Sequence, residues 1–178
     1  VRDTLVEINP QGLTIADNGQ INGTIDQLPP EIQNSTLTII PTIRNWFDDG
    51  SVRSDLVDNM LVDEINRERH INTIVDIVQR NAYQGIDLDY RRVNPDLKEE
   101  YANFLTELRQ ALPSNKLLSV RVDMARQVSA ETWETGAYDW QKIGEVADIV
   151  KVPTSPNPAD YTQGGQMEAM LDWAVGRV

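Results

Sequence analysis

The residues best suited to chemistry lie in one short stretch, residues 83–92, which reads Tyr-Gln-Gly-Ile-Asp-Leu-Asp-Tyr-Arg-Arg. Successive side chains of a strand point to opposite faces, so Asp87, Asp89 and Arg91 share one face and the apolar residues share the other. Carboxylates that repeat on one face would be costly in an ordinary apolar core. The pattern therefore predicts a strand that opens into a polar site, where the carboxylates are available for proton transfer or ligand binding.

The same stretch resembles the signature of glycoside hydrolase family 18, the chitinases and their relatives, which reads Asp-Gly-Ile-Asp-Ile-Asp-Trp-Glu on the fourth strand of a TIM barrel. Gly85, Asp87 and Asp89 match that signature. Gln84 stands at its first Asp, and Tyr90 is an acceptable aromatic residue. The resemblance implies a substrate-assisted retaining mechanism, in which the final Glu is the general acid and the neighbouring Asp orients the acetamido group of the substrate. It designates Asp87 and Asp89 as the retained catalytic carboxylates.

The chain departs from the signature at the residue that transfers the proton. Arg91 stands in place of the acid Glu, and a guanidinium with a pKa above roughly 12 cannot release a proton at working pH. The family also has a Met-x-Tyr-Asp segment at the end of strand six, and the aligned residues 151–156 carry Ser155 and Pro156 instead of its Tyr and Asp. These two departures predict that the domain does not catalyse the family reaction.

Chain length limits how much of a barrel can form. The 178 residues suffice for a single domain over residues 1–178, whereas a closed (β/α)8 barrel usually needs about 250 residues and seldom fewer than roughly 200. The resemblance therefore implies an α/β fold, a TIM barrel of the family 18 type that is partial in this chain, with strands two to six. Five strands would leave two open parallel edges, so we expect further chain segments or another protomer to complete the barrel.

Strand-like and helix-like segments alternate along the chain, which favours βαβ units and a parallel sheet. Besides the motif strand, the expected strands are residues 4–9, 36–43, 117–124 and 148–152. The expected helices are residues 56–80, 95–112, 140–146 and 167–175. Residues 17–19 read as a turn, and Pro10 is expected to close the first strand.

Composition restricts the partners. A net charge of -12 argues against nucleic acid and anionic membranes, because nothing offsets phosphate repulsion. The chain has no apolar run long enough to cross a bilayer and no signal-peptide pattern at its N-terminus, so membrane insertion is not expected. It contains no Cys and one His, and residues 48–50 read as a turn rather than a calcium loop. We therefore expect neither a metal site nor a cofactor.

The strand phase that turns Asp87 and Asp89 towards the barrel interior places other charged residues there. We expect acids and bases to form a salt-bridged polar core, with Arg91 close to Asp87 or Asp89. The members of this predicted core are Glu7, Asp87, Asp89, Asp123, Arg44, Arg91, Arg121 and Lys151. A carboxylate among arginines has a lowered pKa, which argues against Asp123 as a replacement for the lost acid.

Ligands bind at the C-terminal face of such barrels, which directs attention to aromatic residues in the loops that follow the strands. Trp46 and Trp133 are candidates for stacking on sugar rings, Tyr161 is a third, and Asp123 is a polar candidate. The single histidine, His70, has polar neighbours in a predicted helix and is expected at the surface.

The sequence thus predicts a catalytically inactive domain of a secreted or cell-surface protein. Its partner would be a polysaccharide or cell-wall glycan that contains N-acetylglucosamine, of the chitin or peptidoglycan type, unless the domain serves a structural role. Two alternatives stay open. One is an active glycosidase that cleaves β-1,4 N-acetylglucosamine glycans with an altered acid residue, and the other is a scaffold domain without a sugar ligand.

Overall fold

Strands and helices alternate along residues 5–129 and 132–176, the part of the chain that this computed structural model describes. The strands are β1 (Glu7–Ile8), β2 (Leu13–Ile15), β3 (Ile21–Gly23), β4 (Thr38–Ile39), β5 (Thr42–Arg44), β6 (Gly85–Asp89), β7 (Leu117–Arg121), β8 (Arg126–Gln127), β9 (Trp133–Glu134) and β10 (Ile149–Lys151). The α-helices are α1 (Pro30–Gln33), α2 (Ser54–Val62), α3 (Glu64–Arg80), α4 (Lys98–Ala111), α5 (Trp140–Val146) and α6 (Gln166–Val175). Short 3₁₀ helices occupy Asp17–Gly19, Pro95–Leu97 and Pro158–Tyr161.

The main sheet has the strand order β10-β7-β6-β5-β2-β3. Its first five members are parallel to their neighbours, and β3 joins the far edge of β2 in antiparallel orientation. The parallel pair β1 and β4 lies immediately before β2 and β5 in the chain. Helices separate the parallel strands from β5 onward, so the predicted α/β class is confirmed.

One proline follows the first predicted strand, residues 4–9, and another lies within the second, residues 36–43. Because proline has no N–H to donate, regular strand hydrogen bonding is interrupted at Pro10 and Pro41. Their carbonyl oxygens still accept hydrogen bonds from the backbone N–H groups of Thr42 and Asp87, both at 2.9 Å, so the pairing of the chain segments continues. The separate strand β2, which begins at Leu13, was not predicted, but Pro10 follows the end of the first strand at Ile8, as expected. Thr4, where that strand was expected to begin, lies outside the described residues.

The predicted helix over residues 56–80 is two helices, because Asp63 interrupts it. Asp63 has an extended backbone (φ -104°, ψ 112°), and its side chain accepts a hydrogen bond from the N–H of Asn66, which caps the start of α3. Later helices also begin at residues whose side chains accept a backbone N–H. Asn94 accepts from the N–H of Asp96, and Asp139 accepts from the N–H of Lys142.

The outer face of β6 supplies the centre of the apolar core, and Ile86, Leu88 and Tyr90 are buried there. Gly85 starts this strand for a steric reason. A Cβ atom added to it would lie 2.2 Å from the carbonyl oxygen of Leu117 in β7. The glycine of the motif thus permits the two strands to approach each other.

His70 is completely buried, so the prediction of a surface position was wrong. It lies one helical turn before Ile74, on the face of α3 that packs against the sheet. Its Nδ1 lies 2.8 Å from the carbonyl oxygen of Gly19, and its Nε2 lies 2.5 Å from the hydroxyl of Tyr90. Burial lowers the pKa of His70 to about 4.

That lowered pKa predicts a loss of stability in acid. The folded-state pKa of His70, about 4, lies below its ordinary value of 6.5, so the unfolded chain binds the proton more readily below pH 6.5. The free energy of unfolding should therefore fall as the pH drops from 6.5 towards 4, by about 3 kcal/mol from this group once the pH is near 4. Urea denaturation of the wild type across this range measures the loss. The His70→Gln variant cannot take up the proton and should lose less stability; an equal loss in both proteins would contradict the assignment.

Candidate functional site

A row of charged side chains crosses the carboxyl ends of four neighbouring parallel strands. The sheet register pairs Arg44 of β5 with Asp89 of β6. It also pairs Arg121 of β7 with Lys151 of β10. The strand phase expected from alternation is therefore confirmed, and the row lies where ligands bind in parallel barrels.

Asp87 lies one layer below this row and is completely buried. Its Oδ1 accepts hydrogen bonds from Ser119 Oγ at 2.6 Å and Lys151 Nζ at 2.9 Å. Its Oδ2 accepts one from Thr42 Oγ1 at 2.8 Å. Sequence reasoning missed both hydroxyl donors, although Thr42 and Ser119 each stand two positions before a residue predicted to face the interior. Strand alternation would have found them.

Lys151 connects the last strand of the sheet to the first segment of the chain. Its Nζ donates to Asn9 Oδ1 at 2.9 Å and lies 3.1 Å from Glu7 Oε1, in addition to its bond with Asp87. The ammonium group thus donates two hydrogen bonds and lies within ion-pair distance of a further carboxylate. One cation thus compensates two carboxylates in the deep part of the site.

Asp89 is buried and carries the ion pair predicted for Arg91. Arg91 donates from Nε to Oδ1 at 3.0 Å and from Nη2 to Oδ2 at 2.8 Å, a bidentate arrangement that is strong and geometrically specific. Oδ2 also accepts from the indole Nε1 of Trp46 at 2.9 Å and lies 3.4 Å from Nε of Arg121. The expected salt-bridged polar core is confirmed at this carboxylate.

Trp46 lies in the site, and arginines contact its ring. The guanidinium carbons of Arg44 and Arg91 are 4.4 Å and 4.0 Å from the centre of the indole, within the range of cation–π attraction. Arg44 also reaches outward to Asp48 at 2.9 Å. Trp46 therefore donates to Asp89 and lies against two cations, and sugar stacking on it stays a prediction.

Asp123 lies beside the polar core and not within it. It lines a neighbouring cavity of ≈ 410 Å³ with Arg92, Arg126 and Tyr138. It accepts a hydrogen bond from the N–H of Arg92 at 3.1 Å, and Arg92 has the left-handed φ of 56°. Burial raises the pKa of Asp123, and the charge of Asp89 adds to the rise, while the pull of Arg91 is weaker. The expectation of a lowered pKa was wrong, because desolvation outweighs attraction to the arginine.

The other two aromatic candidates lie apart from Asp89. Trp133, in β9, stacks on Trp173 of α6 with ring centres 5.6 Å apart. Tyr161 is exposed and donates its hydroxyl to the carbonyl oxygen of Ser155 at 2.7 Å. No contact between either ring and Asp89 is found among the described residues, and their roles in sugar binding stay predictions.

Within residues 5–129 and 132–176, no group of three or more His, Asp or Glu side chains is arranged to hold a metal ion. None of the helices in that part of the chain combines the length and apolarity needed to cross a bilayer.

The family model described as Glycosyl hydrolases family 18 matches residues 7–159, which include every charged residue of the site. The chain belongs to this family. Among curated proteins, the cortical fragment-lytic enzyme of Bacillus subtilis is 30% identical over 145 residues, which cover 76% of this chain and 32% of the relative. The chain spans about a third of the length of the first curated relatives it matches.

Solved structures confirm the family 18 type of barrel, partial in this chain. The spore cortex-lytic enzyme SleL of Bacillus megaterium superimposes with a TM-score of 0.78 at 20% identity, over 98% of this chain and 41% of that structure. A chitinase from Chromobacterium violaceum superimposes with a TM-score of 0.76 at 19% identity, over 98% of this chain and 57% of the chitinase. Within a family 18 barrel, the ion pair of Arg91 with Asp89 stands where the family places its acid Glu.

The deep ion pair predicts that replacing Lys151 destabilises the protein far more than replacing Lys142. Lys151→Met should lower the free energy of unfolding by about 3–5 kcal/mol, because it leaves the buried Asp87 without its cation. Lys142→Met is the matched control, since Lys142 pairs at 2.6 Å with Glu99 in an exposed position and should change stability little. Urea denaturation of both variants makes the comparison. Similar losses in the two would show that Lys151 does not hold Asp87.

Proposed function

We propose that this chain is a non-catalytic family 18 domain that binds a β-1,4-linked, N-acetylglucosamine-containing glycan of the peptidoglycan or chitin type. The observation that carries the proposal is the bidentate contact of Arg91 with Asp89. The proposal includes an extracellular or cell-surface location, because glycans of this type lie there.

Catalysis by the family mechanism needs a group that holds a proton at working pH and releases it to the glycosidic oxygen. A guanidinium cannot release its proton, so Arg91 cannot act as that acid. The carboxylate beside it is also occupied, since both oxygens of Asp89 accept hydrogen bonds from Arg91 or Trp46. A carboxylate held in this way is poorly placed to orient an acetamido group. The site thus lacks both functions that the reaction requires.

Binding is supported by features that remain at the open end of the strands. The side chains of Arg91 and Arg121 are 40% and 39% exposed there, so polar donors remain accessible to a ligand. Trp46 supplies an aromatic ring beside them. The names of the relatives indicate spore cortex and chitin as what those proteins act on, and both materials contain N-acetylglucosamine. These observations favour the same class of ligand for this chain.

The full chain should remain bound to insoluble peptidoglycan or chitin and release no reducing ends from either. Trp46→Ala should weaken retention about tenfold, because it removes the ring at the site. Trp46→Phe is the matched variant, which keeps a ring but has no N–H for Asp89. Sedimentation and reducing-sugar assays measure both properties, with circular dichroism as the check on folding. Absence of retention on both materials would leave the scaffold alternative.

A second candidate function is an active glycosidase in which Asp123 supplies the proton. The observation in its favour is the raised pKa of Asp123 beside a cavity, since a general acid needs a pKa nearer to working pH. This candidate predicts turnover of a chromogenic chitobioside that is abolished in Asp123→Asn and retained in Glu134→Gln. We expect no turnover in the wild type, and turnover with this dependence would replace our proposal.

A further inference from the structure

At the mouth of the site, two guanidinium groups approach one buried carboxylate, and a third lies against the tryptophan beside it. Arg91 and Arg121 both approach Oδ2 of Asp89, at 2.8 Å and 3.4 Å. Arg44 and Arg91 both lie against the ring of Trp46, 4.4 Å and 4.0 Å from its centre. These residues, Arg44, Arg91 and Arg121, form what we call the arginine cluster.

Asp89 cannot satisfy all members of the arginine cluster. Its two oxygens already accept two bonds from Arg91 and one from Trp46. The Nε atoms of Arg44 and Arg121 are buried and have no hydrogen-bond partner among the described residues. The guanidinium of Arg121 forms no hydrogen bond with any other residue in that part of the chain, although its side chain is 39% exposed. The buried Nε atoms are out of reach of a ligand, but the exposed terminal N–H groups of Arg121 are free to bind an incoming group.

Charge in the site is separated by depth. The deep layer contains Lys151 with the carboxylates Asp87 and Glu7. The mouth contains the arginine cluster with one buried carboxylate, and Asp123 lies beside it at the neighbouring cavity. The further partner of Arg44, Asp48, is 88% exposed. An exposed pair of that kind contributes little. A protein with a net charge of -12 thus concentrates positive charge at the mouth of this site.

We propose that the arginine cluster binds the carboxylate of an acidic sugar, so that the glycan recognised by this domain is anionic. Planar guanidinium groups match a carboxylate through paired N–H donors, and their attraction strengthens where water is partly excluded. The inference rests on the proposed function, and it selects between the two glycan types named there. Chitin is uncharged, whereas peptidoglycan carries a lactyl group on its N-acetylmuramic acid residues, and the carboxylate of that group is free wherever the stem peptide has been removed. The cluster therefore favours the peptidoglycan type.

Isothermal titration calorimetry of the full chain with three disaccharides tests this inference. The ligands are N-acetylglucosaminyl-β-1,4-N-acetylmuramic acid, its methyl ester, and diacetylchitobiose. The free acid should bind at least about tenfold more tightly than the ester or the neutral sugar at low ionic strength. The advantage should shrink with added salt, because screening weakens the attraction between charges that solvent reaches.

Arg121→Gln is the test variant, because Arg121 makes no hydrogen bond with the described residues that its loss would break. It should remove most of the preference for the acid, so that the free acid, its methyl ester and diacetylchitobiose bind with similar affinity. Arg80→Gln is the matched control, since Arg80 lies at the end of α3 in an exposed pair with Asp76 and should behave as the wild type. Thermal unfolding verifies that each variant is folded. If Arg121→Gln does not fold, Arg121→Lys keeps the charge without the planar fork and should still weaken binding of the acid.

The remaining outcomes distinguish failure of this inference from failure of the proposed function. Equal affinity for the acid and its ester would overturn the inference and leave the proposed function standing. No binding of any of the three sugars would overturn both. Tighter binding of N-acetylglucosamine 6-phosphate than of the muramic acid disaccharide would assign a sugar phosphate to the cluster and overturn the carboxylate.

Discussion

Two carboxylates buried on one strand, Asp87 and Asp89, impose the main constraint on this structure. Burial of a charge is costly unless a cation and hydrogen bonds compensate it. Lys151 supplies this compensation for Asp87, and Arg91 supplies it for Asp89. Since Lys151 also contacts Glu7, the same requirement ties the last strand of the sheet to the first segment of the chain. Electrostatic compensation thus joins segments that are far apart in the chain.

The same compensation explains why the chain keeps the family architecture while we propose that it lacks the family reaction. A protonated Glu at position 91 would supply the acid, but it would bring no positive charge to Asp89. Arg91 brings that charge and removes the proton donor. Stabilising the buried carboxylate and supplying a transferable proton are therefore opposing demands on one position. The arginine at this position meets the first of them.

Alternation along the strands predicted much of the site, because the two-residue period of a strand does not depend on distant contacts. It placed Arg44, Arg121 and Lys151 on the face of Asp89, and the contact of Arg91 with Asp89 followed. The helix boundaries were less predictable. Asp63 was not recognised as a cap inside a long apolar pattern, and the hairpin of β2 and β3 was missed although its turn was expected. Local capping geometry decides such points, and several residue types satisfy it.

The sequence by itself determined the family, the parallel strands and the loss of the acid, since these follow from residue identity and short-range periodicity. Only the tertiary structure decided the environments of His70 and Asp123. His70 is buried because Gly19 and Tyr90, distant in sequence, supply partners for both ring nitrogens. Asp123 has a raised pKa because burial outweighs the pull of Arg91. Desolvation depends on everything packed around a group, and that sum exists only once the chain has folded.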